Sequence, residues 1–216
     1  MGNNLFFGAL IIIASLCISG CGGASGDNYL DMAFDDDKVV SSVSIAETGW
    51  NALASGDPGL AMEKFYAGLA AAPEDPLVEA SLREGLGWAQ RDLTGIESGM
   101  SQFEKAAPWT MGGRIGLAYS YISRGASGDV DRAVKQFEAS GMADADAVFV
   151  PERSGTTRDV EVHAMAAMAF FLRGNPGDRE KARSHVIRVR QLLASDYSKA
   201  ADDLVQALEK MGLNAS

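Results

Sequence analysis

The sequence has little of what metal, redox and nucleic-acid sites are built from. Two cysteines and two histidines in 216 residues are too few for a zinc ribbon, an iron–sulfur framework or a disulfide scaffold. The 19 basic side chains are outnumbered by 29 acidic ones, the net charge is −10, and phosphate binding draws on clustered cations. No HExxH, GxSxG or CxxC motif occurs. We therefore expect no nucleic-acid partner, metal, cofactor or small-molecule substrate, and no catalytic site.

What the chain does have is an ordinary globular composition. Hydrophobic residues make up 47% and charged residues 22% of it, which excludes disorder over most of the length. That length suits one domain, or one domain with an anchor segment.

The N-terminus has the pattern of an export signal. Residues 1–20 carry no charged side chain, and their apolar core from Leu5 to Ile18 is shorter than the ~20 residues needed to span a membrane. It ends in Ile18-Ser19-Gly20-Cys21, which resembles the lipobox of bacterial lipoprotein signals. The resemblance implies a signal peptide over 1–20 and a diacylglyceryl thioether on Cys21. A plain secretory signal or an uncleaved anchor is the alternative.

The segment after Cys21 predicts a tether and a location. Residues 21–38 contain three Gly, one Ser and five Asp, and Gly and Ser are typical of flexible linkers. Cleavage would remove Cys17, and the lipid would block the Cys21 sulfur, so redox chemistry is excluded. Gly22 follows the lipidated position. In enterobacterial sorting, a residue other than Asp there favours the outer membrane, so we expect an anchor in that membrane facing the periplasm.

A repeat begins after the tether. Five positions recur at one offset, namely Gly49 and Gly87, Trp50 and Trp88, Ala61 and Gly99, Phe65 and Phe103, and Gly68 and Ala106. A third copy contains Ala118, Tyr119, Gly128, Ala133, Phe137 and Ser140. Helix–turn–helix repeats have periods of about 34–40 residues.

These residues resemble the tetratricopeptide (TPR) repeat, which places small residues at a helix crossing and an aromatic residue in the second helix. The resemblance implies an all-α, right-handed superhelix of about four helix pairs over 39–211, with a C-terminal capping helix at about 196–211 and a tail at 212–216. It is carried by 45–140 and 157–211, and 141–156 is expected to be an irregular linker.

Helix ends are marked in the sequence. Asp57-Pro58 and Asp75-Pro76 are each a capping residue followed by proline at the first helical position, and Thr94 to Glu97 has the spacing of a capping box. Five glycines stand where helices should stop: Gly56, Gly125, Gly141, Gly174 and Gly212.

A binding groove is the sharpest hypothesis. In TPR proteins the residue after the small residue of the first helix points into the concave face. The residues so placed here are Trp50, Trp88 and Tyr119, with Met168 as the expected fourth, flanked by Leu53, Ile122 and the cation Arg91. Trp and Tyr dominate binding hot spots, so the ladder would suit an apolar peptide or helix. The alternative is that the rings pack against the N-terminal segment or a neighbouring helix.

Other candidates are weaker. His163 is expected to be a helix-surface or satisfied core residue. Arg179, Lys181, Arg183, His185, Arg188 and Arg190 form the most basic stretch, which is either a surface for an acidic partner or membrane, or a solvated helix face. Ser154 to Thr157 lacks the Lys and second Gly of a phosphate loop.

Small TPR lipoproteins of this type resemble secretin pilotins of pilus systems and the TPR lipoproteins of outer-membrane protein assembly. The resemblance implies a non-enzymatic, lipid-anchored adaptor that binds a peptide or helix of an envelope machine. The alternative is a scaffold or regulator of peptidoglycan-modifying enzymes. An enzyme, the third hypothesis, would need a catalytic pair that the linear sequence does not reveal.

Overall fold

The computed structural model describes residues 41–213, and within them the chain is all-helical with no strand. The helices are α1 (Ser42–Ala54), α2 (Pro58–Ala70), α3 (Pro76–Thr94), a 3₁₀ helix (Ile96–Gly99), α4 (Met100–Ala106), α5 (Met111–Arg124), α6 (Asp129–Ala139), α7 (Asp159–Arg173), α8 (Asp178–Leu193) and α9 (Lys199–Lys210). The predicted signal peptide, Cys21, the tether and the last three residues of the tail lie outside the described residues.

The helices begin where the caps predict. Asp57 and Asp75 each accept a hydrogen bond from a backbone N–H of the helix they precede, and proline follows in both cases. A capping side chain satisfies an N–H that has no partner inside the helix. Glycines with positive φ follow the helix ends, as predicted for Gly56, Gly125, Gly141, Gly174 and Gly212.

One cap prediction is wrong. Thr94 is the last residue of α3, and Gly95 ends that helix with φ of 108°. The Thr94 hydroxyl donates to the Gln90 carbonyl, 3.0 Å away, inside the helix that it ends. The expected capping box fails because the 3₁₀ turn at Ile96–Gly99 replaces the first turn of the next α-helix.

Aromatic rings of the second helices fill gaps left by glycine. The Phe65 ring lies against Gly49 of its own pair and Gly85 of the next, so a Cβ on Gly49 would sit 2.7 Å from the ring. Phe103 repeats the arrangement between Gly87 and Gly116. Both rings are fully buried. Each ring packs between two helix pairs, and only a residue without a Cβ leaves room for it. This is why the repeat has small residues at these positions.

The third and fourth helix pairs each have an Arg–Asp ion pair at the turn between their two helices. Asp129 is fully buried and accepts two hydrogen bonds from the Arg124 guanidinium, at 2.8 and 2.7 Å. Asp178 and Arg173 repeat this pair at 2.7 Å for both bonds. Beside each arginine the pKa of the aspartate is held below its usual value, chiefly by those hydrogen bonds.

The helix pairs contact one another in chain order. Among the described residues, α1 contacts α3, α3 contacts α5, and α5 contacts α7, while α2, α4 and α6 each contact the first helix of the next pair. The last helix, α9, packs on α7 and α8. Residues 140–158, which connect α6 to α7, contain no helix.

Candidate interaction site

The candidate site is the face on which the predicted ladder lies, and a segment of the chain covers it. We call this the covered face and define it by Glu47, Trp50, Leu53, Trp88, Arg91 and Tyr119, which come from α1, α3 and α5. The segment that crosses it, residues 152–157, is called the strap. It lies between α6 and α7 and includes a turn with positive φ at Gly155.

The ladder residues are present but buried. Trp50 is 3% exposed and Trp88 is fully buried. Their ring centroids lie 5.2 Å from Phe65 and 4.9 Å from Phe103, in edge-to-face contact with the second helix of the same pair. The expectation that both rings open onto a free groove is thus corrected, and the alternative of packing against a neighbouring helix is confirmed.

The flanking predictions have the same outcome. Leu53, Ile122 and Met168 are all buried in the core, and Met168 has no accessible surface. Tyr119 is half-buried and its ring lies 6.4 Å from that of Trp88. The TPR resemblance predicted these residues as the lining of a groove, whereas they lie in the interior of the helical domain.

Hydrogen bonds hold the strap to the covered face. The Arg91 guanidinium, which lies over the Trp88 ring at 4.6 Å, donates to the carbonyls of Thr156 at 2.6 Å and Gly155 at 3.3 Å. The hydroxyls of Tyr119 and Thr157 are 3.2 Å apart and share a hydrogen bond. Arg91 was predicted as a cation of the groove, and its charge is used to bind backbone oxygens.

The other end of the strap is held by charge. Arg153 contacts both carboxylate oxygens of Glu47, at 2.8 and 3.0 Å, and its guanidinium lies 6.0 Å from the Trp50 ring centroid. Both side chains are partly exposed, so the pair is screened by solvent. A partly exposed ion pair of this kind contributes at most about 1 kcal/mol.

A buried carboxyl group lies at the same face. Glu84 of α3 is 5% exposed, and burial raises its pKa to about 7. Negative charge on Glu152 of the strap raises the pKa further, while hydrogen bonds with Thr110 and with the Trp88 indole, whose Nε1 is 3.4 Å away, lower it. Glu84 thus keeps its proton in slightly acidic solution, unlike an exposed glutamate.

The two histidines form a buried pair that the sequence did not reveal. The Nδ1 atoms of His163 and His185 are 2.9 Å apart, and the Nε2 atoms face the carbonyls of Ala147 at 3.1 Å and Ala143 at 3.4 Å. In a neutral pair one ring donates its Nδ1–H to the other, so only one of the two Nε2 atoms carries a proton and can donate to its carbonyl. Burial lowers the pKa of both rings, that of His185 to about 4. The prediction of a satisfied core histidine is confirmed for His163.

The basic stretch on α8 is engaged within the fold. Arg190 pairs with Glu209, Arg179 donates to the carbonyl of Gly212, and Arg188 lies 3.7 Å from Asp159. A shallow cavity of about 690 Å³ between α8 and residues 143–146 is lined by both cations and carboxylates. The stretch does not form a surface of one sign.

The sequence predicted an irregular linker at 141–156 but not that part of it crosses the candidate site, although the length of the linker was a signal. Irregular connections longer than about 12–15 residues are uncommon in compact domains and are often functional, and 140–158 exceeds that length.

Within residues 41–213 no helix is long and apolar enough to cross a membrane, and no cluster of three or more metal-ligating side chains occurs. Comparisons with family models, with curated proteins and with solved structures found no match.

Proposed function

We propose that this chain is a non-enzymatic adaptor of TPR type. It is held at the outer membrane of a bacterial envelope by lipid on Cys21, and it binds a peptide or helix of an envelope machine at the covered face. A secretin or pilus assembly, or the assembly of outer-membrane proteins, is the setting that the resemblance implies.

Two features of the fold support a TPR superhelix. The helix pairs contact one another only in chain order within the described residues. Phe65 and Phe103 each sit between a glycine of their own pair and a glycine of the next. Repeats that cannot bury their apolar faces alone stack in this way, and the resulting curvature creates extended binding surfaces.

The observation that carries the adaptor function is the strap itself. A non-helical stretch of polypeptide lies on the first helices of three pairs, held by Arg91 through its backbone and by Glu47 through a charged side chain. Trp, Tyr and Arg side chains dominate binding hot spots, and a cation beside an aromatic ring is a favourable contact. A partner segment would take the place of the strap.

In-cell photocrosslinking tests this proposal. A photoreactive residue at Asn51, exposed on α1 one turn after Glu47 of the covered face, should crosslink to a secretin, pilus or β-barrel assembly protein identified by mass spectrometry. The same residue at Lys135, exposed on α6, is the control and should not. Crosslinks to peptidoglycan hydrolases would support the alternative, and equal labelling from both positions would contradict the use of the covered face.

The lipid anchor is tested separately. Cys21→Ser removes the thiol that would carry the lipid, so we expect the variant to leave the membrane fraction when cells are broken. Immunoblotting of membrane and supernatant fractions measures this. A variant that stays with the membrane would refute the lipobox interpretation without bearing on the covered face.

A further inference from the structure

We propose that the covered face selects peptides that carry a basic side chain two residues before a glycine, and that the strap is the built-in competitor for this site. The proposal rests on the adaptor function and names its ligand class. In the strap, Arg153 supplies the basic side chain and Gly155 the glycine.

The basic position is defined by Glu47 and Trp50. Both terminal nitrogens of Arg153 contact carboxylate oxygens of Glu47, Nη2 with Oε1 at 2.8 Å and Nη1 with Oε2 at 3.0 Å. The centroid of the Trp50 ring lies 6.0 Å from the same guanidinium. A carboxylate beside an aromatic ring attracts a cation through both charge pairing and the ring quadrupole. An acidic side chain at this position of a ligand would face Glu47 and be repelled.

The glycine position is defined by the backbone of α1. Gly155 has φ of +83°, and a Cβ there would lie 2.9 Å from the Leu53 carbonyl oxygen. A side chain at this position would clash with backbone that cannot move and would also require an unfavourable conformation. A ligand therefore needs glycine where it passes Leu53.

The remaining contacts do not depend on ligand sequence. Arg91 donates to the carbonyls of residues 155 and 156, which every peptide has. The Tyr119 hydroxyl pairs with that of Thr157, so a hydroxyl or another small polar group suits the end of the ligand. The positions of Arg153 and Gly155 thus determine which peptide sequences bind, and the other contacts add affinity for any peptide.

The strap competes because it is part of the same chain. A tethered segment has an effective concentration in the millimolar range, so a free peptide of equal intrinsic affinity would displace it poorly. Breaking one anchor of the strap should raise the affinity for an added peptide. Loss of a partly exposed ion pair and a cation–π contact should change that affinity about tenfold.

The experiment measures binding of a fluorescent peptide with the sequence of residues 150–158, VPERSGTTR, to the full chain in detergent by anisotropy. The host Arg153→Glu, whose strap is repelled by Glu47, should bind it about tenfold more tightly than the wild-type chain does. Arg190→Glu makes the same charge change on α8 and should bind as weakly as wild type. A Gly155→Ala peptide should lose at least tenfold in affinity on the Arg153→Glu host.

A charge reversal makes the test specific. The host Glu47→Arg should prefer a peptide carrying glutamate in place of Arg153 over the wild-type peptide. Limited proteolysis at residues 152–157 reports whether the strap has been released in each host, and far-UV circular dichroism reports whether each host is folded.

The outcomes separate this proposal from the adaptor function. If proteolysis shows a released strap and neither peptide binds its matched host, the ligand class is wrong, while the in-cell crosslinks decide the adaptor function independently. If the strap stays resistant to cleavage in both hosts, Arg153 does not close the face, and the competitor role is wrong. If either host fails to fold, the milder host Arg153→Ala must bind the wild-type peptide more tightly than the unaltered chain does, and equal binding would refute the proposal.

Discussion

Replacing Glu84 with glutamine should change how the stability of the protein depends on pH. Glu84 is buried beside the Trp88 indole and the start of α5, and its pKa is raised from 4.5 to about 7. A carboxyl group whose pKa is higher in the folded state binds its proton more tightly there. Its contribution to the free energy of unfolding is therefore full below pH 4.5 and is lost as pH rises toward 7.

The size of the effect follows from the pKa change. A tenfold change in proton affinity corresponds to about 1.4 kcal/mol. The displacement of the Glu84 pKa from 4.5 to about 7 thus corresponds to a loss of roughly 3 kcal/mol when complete, most of which falls between pH 5 and pH 8. Glutamine has the same shape and no charge, so the variant lacks this loss.

His185 acts in the opposite direction over much of the same range. Its pKa is lowered from 6.5 to about 4, so its contribution to stability is present above pH 6.5 and is lost as pH falls toward 4. Between pH 5 and pH 8 this corresponds to a gain of about 2 kcal/mol with rising pH. The two contributions nearly cancel in the wild-type protein, and the lowered pKa of His163 adds to the histidine side.

Urea unfolding at pH 5, 6, 7 and 8 measures both contributions. The wild-type free energy of unfolding should stay nearly flat, whereas that of Glu84→Gln should rise by about 2 kcal/mol. Glu79→Gln removes a carboxylate from the exposed side of the same helix, and it controls for the loss of one negative charge. If the Glu84→Gln and wild-type curves run parallel from pH 5 to pH 8, Glu84 does not hold a proton in the folded state.

Two further predictions address the packing of the helix pairs. Gly116→Ala should lower the free energy of unfolding by about 1–2 kcal/mol, because the new methyl group overlaps the buried Phe103 ring and overpacking outweighs the gain in helix propensity. The control Gly59→Ala, where the new methyl group is near no side chain but the Asp57 carboxylate, should be neutral or stabilising. Equal effects of the two variants in urea titrations would refute the idea that the Phe103 ring needs glycine at position 116. Asp178→Asn should lower the free energy of unfolding by about 2–4 kcal/mol because it leaves Arg173 without its buried partner. The control Asp57→Asn keeps an equally good helix cap and should change the melting temperature little. Similar melting temperatures for both variants would contradict a structural role for the buried pair.

The helices could be predicted because their ends and their repeat leave local signals. Proline after aspartate at Pro58 and Pro76, and glycine at the helix stops, mark positions along the chain without reference to its other parts. The recurrence of Phe65 at Phe103 marks the packing of one pair on the next. The Arg124–Asp129 turn and its copy at Arg173–Asp178 escaped notice because they recur at a different offset from the helical repeat.

The covered state of the ladder could not be predicted from the same signals. Helical periodicity shows which residues share a face, and the TPR resemblance predicted that Trp50 and Trp88 line a groove on theirs. Periodicity carries no information about which irregular segment lies over that face. Arg91 reaches a carbonyl 64 residues away and Arg153 reaches a carboxylate 106 residues away, and contacts of this kind follow no period in the sequence.

On the proposed function, closure of the covered face also lowers the apparent affinity for a partner. A site that is open in only a fraction of molecules binds with its intrinsic affinity multiplied by that fraction. If the strap contacts favour the closed state by about 2 kcal/mol, roughly one molecule in thirty is open, and apparent binding is weakened about thirtyfold. Mutating Trp50 or Trp88 would not reveal this, because losing a buried ring costs about 3–5 kcal/mol of stability. Arg153 is the better position to change, because it lies on the strap, is partly exposed and acts on closure without supporting the core.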